Sequence, residues 1–105
     1  MPEVDRVIHE PGRLFIVALL SAIKEADFTF LLRETGLTKG NLSSHLSRLE
    51  AAGYVHIGKA YRGKVPWTLV RLTPEGRAAF KQYRKQVNLL LTRQNGRISG
   101  ERCQA

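Results

Sequence analysis

The residues best suited to chemistry are a run of short hydrogen-bonding and basic side chains: Thr38, Lys39, Asn41, Ser43, Ser44, Ser47 and Arg48. If the run is helical, the helical angle puts Leu42, Leu46 and Leu49 on one side and Gly40, Asn41, Ser44, Ser47 and Arg48 on the other. Lys39 and His45 then lie at the flanks. Small side chains let a backbone approach base edges, where Asn, Ser and Arg donate and accept hydrogen bonds, and Arg48 carries the fork that fits guanine or a phosphate. A merely solvated helix face would favour Glu, Lys and Ala. A second run, Lys59-Ala60-Tyr61-Arg62-Gly63-Lys64, holds three cations and no acid. Lys59, Arg62 and Lys64 suit the neutralisation of a polyanion.

Other chemistries find no support in the residues. His9, His45 and His56 have no metal-ligand spacing, and Ser43, Ser44 and Ser47 point away from His45 on a helix, so neither a metal nor a nucleophile–base pair is expected. Paired carboxylates and a phosphate-cradling glycine loop are missing, so no enzyme and no cofactor is expected. A single cysteine, Cys103, forms no internal disulfide and fits a reducing, cytoplasmic compartment. The most apolar run, Leu14 to Ile23, is about half of the roughly 20 residues that a membrane span needs. Trp67, behind Pro66, is expected to pack beneath the basic loop.

The chain of 105 residues is sized for one domain, and its net charge of +8 favours polyanionic partners. That charge is uneven. Residues 1–34 hold four bases and six acids, a balance of −2, whereas residues 35–72 and 73–105 each carry +5. The first third is therefore not expected to face nucleic acid.

The elements that must position these residues follow from caps and periodicity. Pro11 and Gly12 break any earlier structure, and Arg13 to Ile23 reads as a helix apolar all round, hence buried on more than one side. Asp27 caps a helix of roughly eight residues ending at Gly36, and Thr38 caps a third that runs to about residue 52. Tyr54 to Ile57 and Trp67 to Val70 read as a β-hairpin around a basic loop at about 58–65. Thr73-Pro74-Glu75 starts a fourth helix extending to about Leu91, with Phe80, Tyr83, Val87, Leu90 and Leu91 on its apolar side. Residues 1–92 form the expected domain and 93–105 a flexible basic tail.

This order, α-α-α-β-β-α, is that of a winged helix-turn-helix, mainly α with a small hairpin. The segments ADFTFLLRETGLTKGNLSSHLSRLEAAGYV and VPWTLVRLTPEGRAAF resemble winged-helix regulators related to MarR and ArsR, and more closely the short stand-alone winged helix DNA-binding domain proteins. The resemblance covers roughly residues 5–90. It implies a sequence-specific regulator of transcription on double-stranded DNA, with residues 38–52 in the major groove and 58–65 as the wing, in which Arg62 enters or flanks the minor groove while Lys59 and Lys64 neutralise phosphates. The thiolate pairs of metal-sensing ArsR relatives are absent here, and the extra helices that shape a MarR effector pocket do not fit so short a chain.

The first and fourth helices hold more apolar surface than one small domain covers. Leu14, Phe15, Val17, Leu19, Val87, Leu90 and Leu91 are the expected interface of a homodimer, an arrangement the resemblance also implies. A two-fold pair would read a pseudo-palindrome with half-sites about one turn, or roughly 34 Å, apart. Two alternatives are a protein-interaction adaptor and a binder of nucleic-acid shape. The charge concentrated in residues 35–72 speaks against the adaptor. Asn41, Pro66 and Trp67 only loosely fit the shape binder.

Overall fold

The computed structural model describes residues 4–102, with side chains as far as Thr92. Its elements are α1 (Pro11–Ala22), β1 (Ala26–Asp27), α2 (Phe28–Thr35), α3 (Lys39–Ala51), β2 (Val55–Arg62), β3 (Val65–Leu72) and α4 (Pro74–Arg102). The strands form one antiparallel sheet in the order β1-β3-β2. The expected order of helices and hairpin is therefore present, with one strand added.

The caps act where their chemistry placed them. Asp27 accepts the Phe30 amide at 2.7 Å, and Gly36 ends α2 at φ 69°, a conformation glycine adopts without steric cost. Thr38 accepts the Asn41 amide at 3.1 Å, and Thr73 accepts the Gly76 amide at 2.9 Å. Each cap satisfies an amide that the first helical turn leaves without a carbonyl. α1 begins two residues before the expected Arg13, because Pro11 is suited to a first helical position and Glu10 takes the cap, accepting the Arg13 amide at 2.8 Å.

Ile16, Val17 and Leu20 of α1 meet Leu31 of α2, Leu42, Leu46 and Leu49 of α3, and Val55, Val70 and Leu72 of the sheet in one buried cluster. Burying each such side chain is worth about 1.5–3 kcal/mol, so this cluster fixes α3 against the body by its leucine side alone. The opposite side is left to solvent.

Three expectations need correction. β1 was invisible in the sequence because two residues carry no period; Ala26 and Asp27 pair with Val70 and Leu69 along the edge of β3. The hairpin is longer than its apolar runs, since the ladder continues past them to Arg62↔Val65 and leaves only Gly63 and Lys64 in the turn. Gly63 has φ 62°, which suits the first central position of a tight hairpin turn. α4 continues past Leu91 to Arg102, because elongating a helix is cheap once it has started and no proline intervenes. Cys103 lies outside the described residues.

Candidate nucleic-acid interface

Thr38, Lys39, Asn41, Ser43, Ser44, Ser47 and Arg48 are all exposed, while Leu42, Leu46 and Leu49 are buried beneath them. α3 thus presents a continuous polar surface held from behind. Thr38 also has its hydroxyl engaged as the cap. His45, half-buried at the flank, takes Arg13 Nη1 on its Nδ1 at 3.1 Å, and its Nε2 lies 3.7 Å from Glu10. α3 is thereby tied to the first turn of α1. The Arg13 amide holds the Glu10 carboxyl below its usual pKa, with smaller help from the charges of His45 and Arg13, against a burial effect that raises it.

Lys59, Arg62 and Lys64 are likewise exposed, but they do not share one surface. Lys59 pairs with Thr68 across the ladder and Ala60 with Trp67, so alternation sends Lys59 to one face of the ribbon and Arg62, with Trp67, to the other. Lys64 occupies the turn. The wing is therefore a β-ribbon with cations on both faces, rather than an irregular basic loop.

Trp67 links this ribbon to the helices. The Arg62 guanidinium lies over its ring, 3.8 Å from the centroid, and the indole N–H donates to Asp27 at 3.1 Å. Trp67 is half-buried, so it does pack at the base of the wing, and it also serves as the platform on which Arg62 rests. Asp27 therefore caps α2 with one oxygen and anchors the wing with the other. Its carboxyl is held below the usual range, first by the Phe30 amide and then by the indole and the charges of Arg62 and Arg33, against burial. No pattern of adjacent residues could show this link, because its ends lie 40 positions apart.

The glycine of the LTPEGR segment has a steric explanation. A Cβ on Gly76 would stand 2.0 Å from the Tyr54 carbonyl oxygen, which itself accepts the Thr73 amide at 3.0 Å. The first turn of α4 is pressed against the turn between α3 and β2, and only glycine fits there. Farther along, Tyr83 is buried and meets His9 Nδ1 through its hydroxyl at 2.7 Å; burial raises its pKa.

The residues expected at a dimer interface divide. Phe15 and Leu91 are exposed at 44% and 53%, and Leu14, Val87 and Leu90 are half-buried. Val17 does not belong with them, because it is wholly buried in the core of its own chain, and Leu19 packs against that core as well. Leu89, which falls off the apolar stripe read from the sequence, is exposed at 64%. Among the described residues, no helix is long and apolar enough to cross a membrane.

Comparison with known proteins agrees with this geometry. A family model described as a winged helix DNA-binding domain matches residues 13–91. An uncharacterized protein of Methanocaldococcus jannaschii is 37% identical over 79 residues, which make up 74% of this chain and 85% of the relative. Among solved structures, a transcriptional regulator homologue from Pyrococcus horikoshii OT3 superposes with a TM-score of 0.78 at 29% identity, covering 83% of this chain and 86% of its own. A MarR-family transcriptional regulator from Enterococcus faecalis V583 shares the fold with a TM-score of 0.70 at 21% identity, over 94% and 84% of the two chains.

Proposed function

The chain belongs to the winged helix DNA-binding domain family, and from that premise we propose that it is a transcriptional regulator that binds duplex DNA as a homodimer. α3 enters the major groove and the β2–β3 ribbon lies along the adjoining minor groove or its phosphates. The observation that carries this reading is the exposed polar side of α3, backed by three buried leucines, beside a ribbon bearing three cations. A rigid helix with small side chains outward meets the steric demand of a groove, and the cations meet its charge.

Dimerisation is supported by what α4 leaves uncovered. The helix spans 29 residues, and the molecule measures 65 Å in its long dimension against 24 and 23 Å in the others. Leu91 and, on the other side of the helix, Leu89 are exposed on it, as Phe15 is on α1. A second copy packed around α4 would cover these side chains and set the two α3 helices in two-fold relation. Regulation then follows from occupancy: a dimer seated on a promoter blocks or recruits polymerase.

Hydroxyl-radical footprinting on a duplex recovered by selection tests this reading. Two protected stretches about 10 base pairs apart, related by inverted sequence, are expected. A single stretch would remove the dimer, and protection without sequence preference would remove the regulator.

A further inference from the structure

Three arginines meet at one hollow that no residue of the ribbon lines. Arg6, Arg13 and Arg48 line one hollow of about 420 Å³, completed by Val7, Ala51 and Ala52. They come from the turn before α1, the first turn of α1 and the last turn of α3.

The hollow is held by contacts spread along the chain. Asp5 accepts the Val7 and Ile8 amides at 2.9 and 3.3 Å and also the Tyr54 hydroxyl, which staples the turn carrying Arg6 to the junction of α3 and β2. Arg13 donates from Nε to the Val7 carbonyl at 2.6 Å and from Nη1 to His45, so its guanidinium is clamped between that turn and the middle of α3. Ala51 and Ala52 leave the space between the arginines open.

Three like charges around one hollow repel, and a carboxylate is the usual compensation. Among the described residues, none lies within 4.0 Å of any of these guanidinium groups; the ion pair found within that distance is His45 with Glu10. Asp5 is engaged with its turn and Tyr54, and Glu10, which offsets part of the Arg13 charge, with the Arg13 amide and His45. Forked N–H donors with unbalanced charge are matched by a phosphate group.

We propose that this hollow is an anion site for a phosphate group, and that Arg48 acts there rather than on a base edge. The chemistry is shared by the backbone of a duplex and by a free phosphate or phosphate ester. The duplex as source rests on the DNA-binding reading above. A major groove is about 12 Å wide and a helix of α3's length extends about 20 Å, so when the first turns of α3 reach the bases, its last turn lies over the bounding phosphates. Arg6 and Arg13 then extend the contact surface onto a part of the chain whose summed charge is negative.

The test uses the full chain, a labelled duplex obtained by selection, and binding measured by fluorescence anisotropy across a range of salt. Arg6→Ala and Arg48→Ala each lower the slope of log K against log salt by about 0.9 and weaken binding equally for the selected duplex and its single-base variants. Arg6→Lys, which keeps the charge, keeps the slope. In a parallel arm, inorganic phosphate is titrated at constant ionic strength and the melting temperature is recorded. A lowered slope assigns the phosphate to the duplex; an unchanged slope, with stabilisation by phosphate lost in Arg6→Ala, assigns the site to a free ligand. No change in either arm for both alanine variants overturns the site. Loss confined to one base pair in Arg48→Ala overturns the role given to Arg48. Failure of the wild-type chain to bind any duplex contradicts the DNA reading alone, and the phosphate arm still decides the site.

Discussion

At the scale of single residues, the contacts that fix the candidate surfaces join distant parts of the chain through one polar atom each. Tyr54 gives its hydroxyl to Asp5, which, with burial and the charge of Asp5, pushes its pKa up to about 12. Because the folded chain holds this proton more tightly than the unfolded one, the stabilisation is complete below the ordinary value of 10 and is lost as pH rises through about 12. Tyr54→Phe is expected to cost about 1.5–3 kcal/mol at neutral pH, the range for a hydrogen bond to a charged group. Urea unfolding measures that cost, and the highest step of the tyrosine absorbance titration should vanish in the variant. Local caps such as Asp27, Thr38 and Thr73 were legible in the sequence, because each acts on an amide three positions away. The Asp5–Tyr54 and Asp27–Trp67 contacts were not, because nothing in a linear pattern brings residues 49 and 40 positions apart together.

At the scale of elements, the leucine spacing was enough to orient α3, since burial of one side dictates exposure of the other. The ribbon was harder to read. Its ladder is held by backbone hydrogen bonds that continue where the side chains turn polar, so its length and the division of Lys59 and Arg62 between two faces followed only from the register. Replacing Lys59, Arg62 and Lys64 together by Ala should reduce the salt dependence of DNA binding by about 0.9 in slope for each phosphate that is no longer neutralised. An unchanged slope, read by anisotropy, would remove the ribbon from the DNA-binding surface. The start of α4 carries a different prediction. Gly76→Ala forces a Cβ to within 2.0 Å of the Tyr54 carbonyl, where backbone rather than a flexible side chain stands in the way. Overpacking of this kind costs about 1–3 kcal/mol or more, and thermal unfolding should show it as a clear loss of stability.

At the scale of the whole molecule, summing charge by segment pointed to the last two thirds of the chain and concealed the convergence of Arg6 and Arg13 with Arg48, since a sum over residues ignores where they fold. The apolar surplus on α1 and α4 was visible in composition, but not which side chains stay uncovered: Val17 is interior, and Leu89, on the side of α4 opposite the expected stripe, is exposed. Leu89→Glu combined with Leu91→Glu should leave the fold intact, as both side chains are exposed, while converting a dimer to a monomer in sedimentation analysis. DNA affinity should fall with it, because each half-site is then bound alone.

Whether the chain reads DNA sequence as a dimer is decided by selection of duplexes from a random-sequence pool by the purified chain at about 150 mM salt, read by sequencing, since specificity is meaningful only at a stated salt concentration. A dimeric regulator enriches one motif made of two inverted half-sites about 10 base pairs apart, the spacing of two α3 helices across a two-fold axis. Binding that fades as salt rises, with no sequence enriched, would contradict that reading and leave the basic surfaces as readers of charge alone.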